Sequence, residues 1–147
     1  ILRRYKTTRR CINRLNMEGK YLYFRTEATD ADDDARGDSA CWPASSLMGM
    51  QPNADSELAL YFKPMTRRDP TGSVDSAASL DNHDSVILTL TTANTHIAVM
   101  KTISNAIGNP AGKKFIVVAN DDSGGTEYLS GISACGTITS QALYANS

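Results

Sequence analysis

The fold is decided between residues 85 and 120. Val86-Ile87-Leu88-Thr89-Leu90-Thr91 is a β-branched run that reads as a strand, and the Thr/Asn cluster after it offers helix caps at Asn94 or Thr95. Ile97, Met100, Ile103 and Ile107 then recur at spacings of three and four. That period places them on one helical face, with Gly108 where a left-handed C-terminal cap is wanted. Asn109-Pro110-Ala111-Gly112 turns the chain into Phe115-Ile116-Val117-Val118-Ala119, a continuous apolar run of the kind buried on both faces of a sheet. The segment is expected to be a β-α-β unit, right-handed if its two strands are parallel neighbours.

Toward the N-terminus, Tyr21-Leu22-Tyr23-Phe24-Arg25-Thr26 reads as an aromatic strand that ends in the polar loop 30–38. Pro43 to Met50 is expected to be a short helix, with Pro43 at its first position and Gln51-Pro52-Asn53 ending it. Leu58 to Lys63 is a further strand, stopped by Pro64. Residues 66–84 read as a long loop, and Glu127 to Ser140 as a last strand weakened by Gly131 and Gly136. The expected fold class is α+β: mainly an antiparallel or mixed sheet of about five strands with one long helix packed on it.

Charge divides the chain at Met17. Residues 1–16 carry Arg3, Arg4, Lys6, Arg9, Arg10 and Arg14 with no acid, whereas the remainder holds nine basic residues against all sixteen acidic ones. Residues 1–16 are therefore set apart as a basic leader, either an arm or a non-native stretch, and 17–147 as one globular domain. As an arm, the six basic side chains are the candidate nucleic-acid contacts, since each can displace counterions from phosphates. The acidic remainder disfavours such binding through its own surface.

The 147 residues, 41% hydrophobic, suffice for one core without disulfide or metal staples, and no apolar run approaches the ~18–20 residues of a membrane span. Cys11, Cys41 and Cys135 leave an odd thiol and make no dense disulfide framework. His83 and His96 are the only histidines, with no C-x-x-C or H-E-x-x-H spacing beside them. No G-x-S-x-G elbow is present. Gly108 to Lys114 departs from a P-loop in its spacing, its missing Ser/Thr after Lys and the strand that follows it. No cofactor is expected.

The aspartate loop supplies the candidate metal ligands. Asp30, Asp32 and Asp34 have the alternate spacing that opens a calcium loop, but Ala35 and Cys41 stand where an EF-hand needs Gly and Glu. An enzyme built around Cys41, His83 and this loop ranks behind non-enzymatic readings.

The segment Lys20-Tyr21-Leu22-Tyr23-Phe24-Arg25-Thr26 with its aspartate-rich loop, Asp38-Ser39-Ala40-Cys41, and Ile132-Ser133-Ala134-Cys135-Gly136 together resemble small proteins without assigned activity from marine cyanophages and marine metagenomes. The likeness covers about residues 18–140 and leaves the leader outside it. It implies a viral origin and a structural or assembly role in a tailed phage. The protein would act as a homo-oligomer, with other virion proteins as further partners and no membrane, in the virion or the host cytoplasm. A small nucleic-acid-associated or host-interaction protein using the leader is the alternative.

Overall fold

The computed structural model describes residues 19–65 and 83–140. The basic leader, most of the 66–84 loop and the last seven residues lie outside the described residues. Among the described residues, eight strands and one α-helix follow in the order β1 (Tyr21–Arg25), β2 (Ser39–Pro43), β3 (Leu47–Ala54), β4 (Glu57–Phe62), β5 (Asp84–Leu90), α1 (His96–Gly108), β6 (Phe115–Asn120), β7 (Glu127–Tyr128) and β8 (Ile132–Thr139). Short 3-10 turns occupy Asp30–Asp32 and Ala44–Ser46.

The strands divide into two four-stranded sheets rather than the single five-stranded sheet expected from sequence. The first has the order β2-β1-β6-β7 and the second β3-β4-β5-β8. The second is antiparallel throughout, whereas the first places β1 antiparallel to β2 and parallel to β6. The class remains α+β.

Alternation along the strands builds a common core. Leu22 and Phe24 from β1, Leu58, Leu60 and Phe62 from β4, and Val86, Leu88 and Leu90 from β5 all point inward. An aromatic cluster joins the two sheets: Trp42 of β2 stacks on Phe62 of β4, and Phe24 meets both rings edge-on at 5.8 Å. Buried Asp84 accepts hydrogen bonds from Trp42 Nε1 and the Met65 amide, both at 3.0 Å. That satisfies an indole N–H that would otherwise be costly to bury.

The chain from 43 to 50 is not a helix. Pro43 closes β2 opposite Tyr21, a single 3-10 turn follows, and Leu47 onward extends to pair with β4. Cross-strand bonding outweighs the local Pro-Ser-Ser helix signal, and the amide of Lys63 bonds Ser46 O directly. Pro52 is accommodated because β3 is an edge strand.

Helix α1 spans the expected residues, but its buried face is turned. Val99 and Ile103 are buried and Met100, Ala106 and Ile107 half-buried, while Ile97 is 68% exposed. His96 ties the start of the helix to the β3–β4 turn, its Nε2 lying 2.8 Å from Ala54 O and 3.1 Å from Glu57 O. Thr95 is the N-cap residue, yet its hydroxyl donates to Thr92 O instead of capping the helix. Gly108 does not adopt the left-handed conformation expected of it. The Lys20 ammonium takes over that capping role by donating to Ala106 O and Asn109 O, placing positive charge at the negative end of the helix dipole.

β5 and β6 belong to different sheets, so α1 links two sheets and is not a crossover within one. The last strand also divides, into β7 and β8 around Gly131, which holds a φ of +90°. β8 pairs with β5 through two register shifts, which is why its buried residues Ile132, Cys135 and Ile138 fall three apart and not two.

Candidate interaction face and acidic loop

The same alternation that buries Leu22 and Phe24 sends Tyr21, Tyr23 and Arg25 to the outer face of the first sheet. Their lateral partners are Pro43, Cys41 and Ser39 on β2, and Phe115 and Val117 face Tyr21 and Tyr23 from β6. The Tyr23 and Phe115 rings touch at 5.3 Å between centroids, and Tyr21 and Phe115 remain 45% and 51% exposed. One half of this face is thus an apolar, aromatic surface.

The other half is covered by charge. Arg25 is buried beneath the loop that follows β1: its Nε donates to Glu27 O at 2.8 Å and its Nη1 to Asp30 Oδ1 at 3.0 Å. Asp122 stands 3.6 Å from Nη1 and Asp33 3.9 Å from Nε. Burial alone would lower the Arg25 pKa, but the Asp30 hydrogen bond and the charges of Asp122, Asp30 and Asp33 more than reverse that. The guanidinium is held above its ordinary value. Nη2 is buried without a hydrogen-bond acceptor among the described residues, so the grip comes from one side of the group.

Backbone bonds fasten this loop. The Thr26 amide bonds Asp38 O, the Asp121 amide bonds Arg25 O, and Ser123 donates to Ala28 O through both its amide and its hydroxyl. Asp38 closes the loop by accepting from the amides of Asp34 and Ala35.

The three aspartates expected as metal ligands are therefore placed as follows. Asp30 pairs with Arg25, Asp32 accepts from the Thr29 hydroxyl, and Asp34 is exposed at the loop surface. Among the described residues no group of three or more His, Cys, Asp or Glu side chains is gathered so as to hold a metal ion. The cation beside Asp30 is the guanidinium of the preceding strand, which Asp33 and Asp122 also approach, whereas Asp32 and Asp34 do not. The basic residues Arg3, Arg4, Lys6, Arg9, Arg10 and Arg14 lie outside the described residues.

Cys41 lines an open depression of about 260 Å³ together with Arg36, Ser39, Ala40, Met65 and Ser140. Burial raises the pKa of its thiol, which disfavours the thiolate a nucleophile needs. His83, just before β5, stands edge-on to Tyr61 of the adjoining strand β4 at 5.1 Å. Cys135 is buried, and its thiol is pushed up to about 12 by desolvation and then by the Asp121 charge. Asp121 receives the Tyr128 hydroxyl at 2.6 Å and the Cys135 amide at 3.1 and 3.2 Å, clasping β8 to the edge of the first sheet.

Sequence reasoning missed Lys20, Arg25 and Asp121 as organising residues. The available signal was a pair of basic residues, Lys20 and Arg25, bracketing the four aromatic and aliphatic residues 21–24, which is unusual because such side chains are seldom buried without specific partners. No helix among the described residues is long and apolar enough to cross a membrane. In comparisons with known proteins, no family model, no curated protein and no solved structure matches this chain.

Proposed function

We propose that this chain is a non-enzymatic structural or assembly protein of a marine tailed phage that works as a homo-oligomer in the virion or the host cytoplasm. One observation carries the oligomeric part: the outer face of the first sheet presents Tyr21 and Phe115 about half exposed, side by side on paired strands. Aromatic side chains at a surface favour protein contacts because they bury large area at little cost in conformational freedom. The buried charged groups support the same reading. Lys20 caps a helix and Arg25 ties down a loop, so both serve the fold. The phage setting rests on the sequence resemblance.

The test is the solution mass of the full chain, by light scattering coupled to size exclusion at low and high salt. A discrete oligomer that persists in high salt is expected, and a monomer at both would refute the reading. The alternative, a nucleic-acid-associated or host-interaction protein, draws on the charge break at Met17. It requires nucleic-acid affinity that falls steeply with salt and is lost when Arg3, Arg4, Arg9 and Arg10 become Gln.

A further inference from the structure

The outer face of the first sheet has a chemical direction. β1 and β6 are parallel, so both begin at one end, where Lys113 and Lys114 stand exposed beside Tyr21 and Phe115. Both finish at the other end, under the aspartate loop, where Asp32 and Asp34 are exposed and take no part in binding Arg25. The aromatic pair Tyr23 and Phe115 lies between the acidic loop and the lysines.

We infer that this face is occupied by a second copy of the chain, laid across a two-fold axis in the interface plane and perpendicular to the strands. The inference rests on the oligomeric reading above and specifies its partner and geometry. A two-fold contact sets the same patch against itself. With the axis perpendicular to the strands, the lysine end of each copy lies over the acidic loop of the other, twice. The aromatic rows meet in the middle. An axis parallel to the strands would instead set lysine over lysine and aspartate over aspartate, which like-charge repulsion opposes.

Size leads to the same arrangement. A three-strand face of five residues measures about 17 by 15 Å, a few hundred Å². A standard interface takes roughly 800 Å² from each partner, so the loops at both ends must join the contact. Those loops carry the opposite charges.

The experiment uses the full chain, with the dimer dissociation constant measured by sedimentation and the fold checked through the fluorescence of Trp42. Phe115→Asp, at an exposed position, is expected to raise the constant at least ~30-fold, the effect of losing a central anchor. Lys113→Glu with Lys114→Glu is expected to raise it about tenfold, and adding Asp32→Lys with Asp34→Lys in the same chain to restore it to within about threefold. An oligomer indifferent to Phe115→Asp overturns this face while leaving the oligomeric reading standing. Charge reversal without rescue overturns the antiparallel arrangement, and a monomeric wild type overturns both readings.

Discussion

Trp42 and Phe62 lie face to face across the two sheets, their ring centroids 4.6 Å apart and their planes 8° from parallel. Each is fully buried, and Phe24 packs against both, so the sheets are joined through this cluster. Phe62→Ala should cost ~3–5 kcal/mol, the range for a large aromatic removed from a close-packed core. Trp42 is the only tryptophan, so its fluorescence during guanidinium unfolding reports the same contact directly. A loss below ~1 kcal/mol would mean that the sheets are held elsewhere.

Lys20 reaches the far end of α1, 86 residues away in sequence at Ala106. Lys20→Met keeps the length of the side chain but strips two helix-terminal carbonyls of their donor. The expected cost is ~1–3 kcal/mol. Amide exchange should accelerate selectively in the last turn of the helix. Uniform acceleration across the helix would show that the ammonium is not its cap.

Alkaline pH should unfold the protein through Cys135 and Tyr128. Desolvation moves the Cys135 thiol from 9.0 to about 12, and desolvation with the Asp121 bond moves the Tyr128 hydroxyl from 10.0 to about 12. In both cases the folded state prefers the protonated form. The stabilisation is therefore complete below about pH 9 and falls away as the unfolded chain ionises between pH 9 and 12. Denaturant midpoints measured across that range should drop steeply in wild type and less in Cys135→Ala. A wild-type midpoint that stays flat to pH 12 would contradict the burial of this thiol.

Three glycines provide a graded test of packing. A methyl group on Gly136 would sit 2.6 Å from Ile87 O, a backbone atom in the neighbouring strand. On Gly131 it would lie 2.9 Å from Val99 Cγ2, at a φ that other residues rarely adopt. At Gly49 it would meet nothing within 4 Å. Alanine is expected to cost ~1–3 kcal/mol at Gly136 and at Gly131, and to stay within about 0.5 kcal/mol at Gly49. Thermal melts of the three variants decide the order, and equal losses would refute the bulged β5–β8 pairing.

Strands at 21–25, 57–62, 84–90 and 115–120 and the helix at 96–108 were legible because their apolar residues follow a local period. Partner choice was not legible. Nothing in the pattern of Tyr21 to Arg25 says that its parallel neighbour begins at Phe115. Nor does the pattern of Ile132 to Thr139 reveal two register shifts. Pro43 to Met50 carried a local helix signal that pairing with β4 overrode. At the candidate site the density of aspartates is evident in the sequence, but nothing in Tyr21 to Thr26 marks Arg25, the end of an aromatic strand, as the partner of Asp30. The outer face was legible in part: the aromatic strand 21–24 suits either a core or a surface completed by a neighbour, whereas Phe115 opens a run whose pattern points to burial on both faces yet is 51% exposed.

The parallel pairing of β1 with β6 also orders events during synthesis. β1 emerges before both of its neighbours and meets β2 within twenty residues, yet its other edge has no partner until Phe115–Asn120 has emerged. Lys20 must wait equally long for the helix it caps. The antiparallel β1–β2 and β3–β4 pairs join strands that are neighbours in sequence, so each closes a far shorter loop than the β1–β6 pairing. β1 is thus completed on its second edge only late in synthesis, and a nascent protein stalled before residue 115 would expose an open β1 edge to its neighbours.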